Sequence, residues 1–186
     1  MILGILVFWA LGAYNRLVLL RGAIAQTFAA LAEEWRKQLQ TLEGARAAVR
    51  APGAGGATQA LPAGWDNLEG AVHQFEAALR TASASPFDVS NMQALRTAQW
   101  VLETSVARWL LAADPETNDD RKAAYAQWRE HALIGSPARA AFNQAVDRYN
   151  AAISQFPASI LAWIYRFRPA CALPNEPEVT LVPANP

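Results

Sequence analysis

Between Phe142 and Pro157 the apolar residues Phe142, Val146, Tyr149, Ile153 and Phe156 advance by four, three, four and three positions. That spacing puts all five on one stripe of an α-helix, with a repeat close to that of helices packed against other helices. The same period returns three more times. Leu17, Leu20, Ile24, Phe28, Leu31, Trp35, Leu39 and Leu42 form one seam; Trp65, Leu68, Val72, Phe75 and Leu79 a second; Met92, Leu95, Leu102, Val106 and Trp109 a third. Four such seams predict an all-α chain, an antiparallel four-helix-type bundle with left-handed, coiled-coil-like packing. Gln99 stands where the third seam asks for an apolar residue, which points to a register-setting or partly wet layer.

The breaks between seams set the boundaries. Gly and Pro crowd residues 51–64 and no periodicity survives there, so this stretch reads as a flexible linker. The second helix is expected to end before Pro86. Ser90-Asn91-Met92-Gln93 has the pattern of a capping box opening the third. Asp114-Pro115 suits a helix start, and Ala123 to Ile134, with Tyr125 and Trp128, suits a further helix that Gly135-Ser136-Pro137 ends before the last one begins. Pro157 breaks that last helix. The apolar piece Ile160 to Phe167 must then dock on the bundle end or at a membrane surface, with Trp163, Tyr165, Arg166 and Phe167 placed to contact lipid or a partner. Residues 169–186, rich in proline, are expected to be a disordered tail.

The first thirteen residues carry no charged side chain, and the apolar run resumes at Leu17-Val18-Leu19-Leu20. Residues 1–20 therefore predict a transmembrane signal-anchor helix built from Ile2, Leu3, Ile5, Leu6, Val7, Phe8, Trp9 and Leu11. Thirteen residues span only about 20 Å of a hydrocarbon core about 30 Å thick, so the helix must extend to Leu20. Arg16 then falls near an end, where its stem can snorkel to the headgroups. No basic residue precedes the apolar run, contrary to what a cleaved signal peptide requires. Arg16, Arg21, Arg36 and Lys37 all follow it, so the positive-inside rule puts the N-terminus outside and the bundle, residues 14–168, in the cytoplasm of a single-pass membrane protein. Gly4 and Gly12, two turns apart, offer a close-packing face for a homo-oligomer.

Reactive chemistry is sparse. The 186 residues have a formal net charge of zero, which gives no reason to expect nucleic acid as a partner. Cys171 is the single cysteine, so neither an internal disulfide nor a thiolate metal cluster can form, and it reads as a bystander thiol. His73 shares a helix face with Glu69 and Glu76, the one grouping that suggests a helical metalloenzyme, but a di-metal bundle needs Glu-x-x-His on two helices and further glutamates. His131 and Glu130 are adjacent and point apart. Glu33, Glu34 and Glu103 read as solvated helix faces. These features predict a non-enzymatic protein without metal or cofactor, whose partners are a lipid bilayer and other proteins. A metalloenzyme using His73, Glu69 and Glu76, or a protein that remodels membranes directly, are the alternatives.

Two blocks resemble the bacterial LemA family. The first is Tyr14-Asn15-Arg16-Leu17-Val18, followed by Leu20-Arg21. The second is Ala138-Arg139, then Ala145-Val146, Tyr149-Asn150, Ile153 and Phe156-Pro157, with Ile160, Ala162 and Phe167 continuing the pattern. Together they cover about a quarter of the chain, in the family's order. The middle departs from the family, and residues 114–136 look inserted. The resemblance implies a divergent member: an inner-membrane protein with one N-terminal span and an antiparallel helical bundle, without established catalytic activity, serving as a protein-interaction or membrane-organising scaffold.

Overall fold

The computed structural model describes residues 2–50, 65–111, 118–156 and 158–174, with side chains over 8–44, 65–109, 122–156 and 158–174. The expected linker at 51–64 and the tail from residue 175 lie outside the described residues. Among the described residues there are five helices: α1 (Ile2–Arg50), α2 (Trp65–Ala84), α3 (Val89–Leu111), α4 (Asn118–Ser154) and α5 (Ala158–Ile164). Among the described residues there is no strand.

The contacts fix the directions. Along α1, Trp9 meets Phe156, Phe28 meets Phe142, and Gln38 reaches Trp128, so α4 descends as α1 rises. Trp35 packs edge-on to Phe75, and the Arg21 guanidinium lies 4.3 Å from the centre of the Phe87 ring, so α2 also runs against α1. Trp65 and Trp109 pair at one end of the α2–α3 hairpin, with ring centroids 5.4 Å apart. Phe87 at its turn meets Tyr149. The four long helices thus alternate in direction, each burying one seam. All α3 seam residues are buried, as are those of α1 and α2 apart from half-buried Leu20 and Val72.

Three features differ from what the sequence predicts. First, Gly135-Ser136-Pro137 does not divide α4, which runs unbroken through Pro137. The proline forfeits one backbone bond, but Trp128, Phe142 and Tyr149, all buried, lie at multiples of seven residues along the same seam. Gly135 occupies the missing position, where a Cβ would sit 3.5 Å from Glu34 Cβ of α1. Burial along α1 keeps both halves of α4 in line.

Second, α3 opens at Asp88 and not at a Ser90 capping box. Asp88 Oδ1 accepts hydrogen bonds from the backbone N–H groups of Ser90 (2.8 Å) and Asn91 (3.2 Å) and from the Ser90 hydroxyl. The Ser90 hydroxyl and then these amides hold its carboxyl below the usual range. Third, residues 169–174, expected in a disordered tail, form an extended strap with residues 167 and 168, tied to α4, and Ala170 and Leu173 are buried in the core.

Two glutamines are buried among the described residues. Gln38, 8% exposed, donates to the Trp128 carbonyl at 3.2 Å, and buried Gln99 donates to Glu103 Oε1 at 2.9 Å. Gln99 thus fills the polar layer its seam position predicts. Glu103 departs from the solvated reading: its Oε2 is buried without a hydrogen bond. Burial pushes its carboxyl up to about 6, against the opposing effects of the Gln99 amide and the Arg139 charge.

Candidate interaction surface

Two asparagines and a tyrosine of α4 act as clips. Asn150 Nδ2 donates to the Ala170 carbonyl and its Oδ1 accepts from the Ala170 N–H, both at 2.9 Å. Asn143 does the same for Leu173, at 2.7 and 2.9 Å. Seven residues of helix rise about 10.5 Å and three extended residues span about 10 Å, so the two asparagines match the strap's own spacing. Between them Tyr149 donates its hydroxyl to the Arg168 carbonyl at 3.1 Å. Val146, Tyr149 and Leu17 are buried and Leu20 is half-buried, so these four positions serve packing. Asn15 is exposed, and Pro157 lies outside the described residues.

The strap holds α5 at the end of the bundle where α1 begins. α5 closes with a Schellman turn: Phe167 N–H bonds the Ala162 carbonyl, Arg166 N–H reaches the Trp163 carbonyl, and Arg166 has φ of 54°. Ala162 is buried against the bundle, but Ile160, Trp163, Ile164 and Tyr165 are exposed, Trp163 by 82%. Beside them stand Phe8 at 82% and Phe156 at 81%, with Trp9 and Leu11 also exposed. Phe156, expected on the α4 seam, lies beyond the end of α4 at Ser154 and pairs with Trp9 at 6.2 Å. Tyr14 lies 5.1 Å from Tyr165 and 6.4 Å from Phe167 between ring centroids. The start of α1 and α5 therefore form one continuous apolar end, assembled from segments about 150 positions apart in sequence.

Among the described residues no helix is long and apolar enough to cross a membrane, so the spanning helix expected over residues 1–20 finds no support there. The side chains of Ile2, Leu3, Ile5, Leu6 and Val7 lie outside the described residues. Gly12 has open space where a Cβ would stand, and Gly4 belongs to the segment whose side-chain surroundings are not described.

Behind the apolar end lies a basic zone. Arg16, Arg148, Arg166 and Arg168 are exposed, and Arg21 sits between the Phe87 and Phe167 rings, 4.3 and 5.3 Å from their centres. Arg21 and Arg168, with Phe28, Phe87 and Asp88, line a groove of about 940 Å³ between α1 and the α2–α3 turn.

The metal reading of His73 gains nothing from the tertiary structure. Its ring nitrogens lie 3.9 Å from Glu69 and 3.6 Å from Glu76, with the imidazole largely in solvent. Among the described residues no group of three His, Cys, Asp or Glu side chains is placed to hold a metal ion. Cys171 is half-buried, and its thiol donates to the Ala172 carbonyl at 3.5 Å.

The sequence did not single out Asn143 or Gln38. The seven-residue interval from Asn143 to Asn150 was the available clue for the first. No family model matches this chain, and no curated protein or solved structure matches it.

Proposed function

We propose that this protein is a membrane-anchored helical bundle, a divergent LemA-like scaffold that organises protein partners at a bacterial inner membrane. The continuous apolar end formed by Phe8, Trp9, Leu11, Phe156, Ile160, Trp163 and Ile164 carries this reading. A cluster of large apolar side chains left in water is unfavourable by roughly 25 cal/mol per Å², and seating it in lipid removes that cost. The uncharged run Ile2–Val7 continues α1 past this end and supplies the part of the anchor that enters the bilayer. Arg16, Arg21, Arg36 and Lys37 all follow the run, which favours a bundle on the cytoplasmic face of the membrane. The far end of the bundle, near Trp65 and Trp109, then stands away from the membrane and is available to partners.

Carbonate extraction of membranes from cells expressing the tagged full chain tests the anchor. The native chain is expected to stay in the pellet, and a Phe8→Ser, Trp9→Ser, Leu11→Ser variant to be released. Native protein in the supernatant refutes the anchor. Protease digestion of a C-terminal tag in intact spheroplasts decides the orientation: protection is expected, and digestion places the bundle outside.

A further inference from the structure

Charge is segregated along this bundle. Residues 1–32 and 148–175 contain no Asp or Glu but hold Arg16, Arg21, Arg148, Arg166 and Arg168. These two stretches are the ones that build the apolar end. Helix rise places Arg16 about 10 Å from Trp9 and Arg148 about 9 Å from the end of α4 at Ser154, while Arg166 and Arg168 follow Tyr165 closely. A bilayer's headgroup region begins where its hydrocarbon ends, and aromatic residues mark that boundary. Trp9, Tyr14, Trp163 and Tyr165 occupy that level here, with the arginines at it or behind it.

Arg166 adds an independent observation. Its φ of 54° is the left-handed conformation closing α5, a position that glycine fills without strain and that other residues adopt at a cost. An exposed arginine at this point gives the turn no backbone advantage over glycine, and its guanidinium is open to a group outside the chain. Asp88 is a carboxylate facing the zone, near enough to Arg168 to be influenced by its charge, and it is occupied in capping α3.

We propose that the arginines around the apolar end bind the phosphates of anionic phospholipids, so that this protein selects negatively charged bilayers. The proposal rests on the reading above that the apolar end is seated in lipid. The apolar side chains supply depth; Arg16, Arg166 and Arg168 supply the choice of headgroup, each strengthening binding to an anionic surface about fivefold.

The test is co-sedimentation of the full chain with vesicles of phosphatidylcholine alone and with vesicles of phosphatidylcholine and phosphatidylglycerol in a two-to-one ratio. Three proteins are compared: the native chain, Arg166→Gly, and the triple variant Arg16→Gln, Arg166→Gln, Arg168→Gln. The native chain is expected to favour the anionic vesicles, and the triple variant to lose about a hundredfold on those vesicles only. Arg166→Gly is expected to unfold at the same or a higher temperature than the native chain while binding anionic vesicles about fivefold less, a pairing that damage to the fold cannot produce. Salt near 1 M, where the screening length is about 3 Å, should abolish the preference. Equal binding of the native chain to both vesicles overturns headgroup selection and leaves the anchor standing. Equal losses by the variants on both vesicles overturn it too. Binding to neither overturns the anchor as well and leaves the surface to a protein partner.

Discussion

Replacing Asn150 by alanine removes both hydrogen bonds that hold Ala170, and the geometry sets the expected cost. Each neutral hydrogen bond contributes about 1 kcal/mol net, so the pair accounts for about 2 kcal/mol. Ala170 is 7% exposed, and if the strap stayed in place its N–H and carbonyl would be left without their partner, adding about 1–3 kcal/mol. The strap instead escapes this penalty by peeling away, at the expense of the burial of Ala170 and Leu173. Asn143→Ala attacks the same strap through Leu173. Once one clip is lost and the strap has lifted, losing the second removes little more. Urea unfolding of the two single variants and the double variant measures this directly. Each single change is expected to cost about 2–3 kcal/mol, and the double at least 1 kcal/mol less than their sum. Amide exchange should show Ala170 and Leu173 losing protection together. Additivity within about 0.5 kcal/mol, or a single-variant cost below that, refutes the account of a strap held as one unit.

Two further outcomes follow from the interior. Glu103 ordinarily titrates at 4.5 and in the fold at about 6, so the folded chain holds a proton that the unfolded chain releases between those values. The contribution of Glu103 to stability is therefore greatest below pH 4.5 and falls by about 2 kcal/mol as the pH rises through about 6. Glu103→Gln should remove that fall, leaving the variant more stable than the native chain at neutral pH and equal to it in acid; parallel stability curves across the window contradict the assignment. At Gly135, alanine meets only an ordinary contact with Glu34 and improves helix propensity by up to about 1 kcal/mol, so Gly135→Ala should raise the melting temperature by about 2–4 °C. A lower melting temperature on calorimetry would show that α1 and α4 approach too closely there for a methyl group.

The periodic seams made the all-α architecture legible without coordinates, because burial of one helical stripe demands a facing stripe whatever the partner is. The same pattern foretold the buried Met92-to-Trp109 face and the polar interruption at Gln99. Breaker residues were less decisive. Gly135 and Pro137 lower local helix propensity by a few kcal/mol, but the seam through Trp128, Phe142 and Tyr149 buries enough against α1 to override them. Capping was misplaced for a related reason. Asp88 and Ser90 are both good caps, and choosing between them depends on where the α2–α3 turn leaves the chain.

Of the candidate site, the sequence showed its parts but not their union. It marked Phe8, Trp9 and Leu11 as apolar, Trp163, Tyr165 and Phe167 as surface-seeking, and Arg166 as basic, because composition and charge are local properties. It could not place Phe156 beside Trp9, seat Arg21 between Phe87 and Phe167, or put Arg166 into a left-handed backbone. Those depend on α1 and α4 running antiparallel over their whole length, and on two asparagines bonding a backbone that lies twenty to thirty residues further along the chain. Local periodicity determined which faces are apolar. Only the closing of the bundle decided which apolar and basic residues share one end.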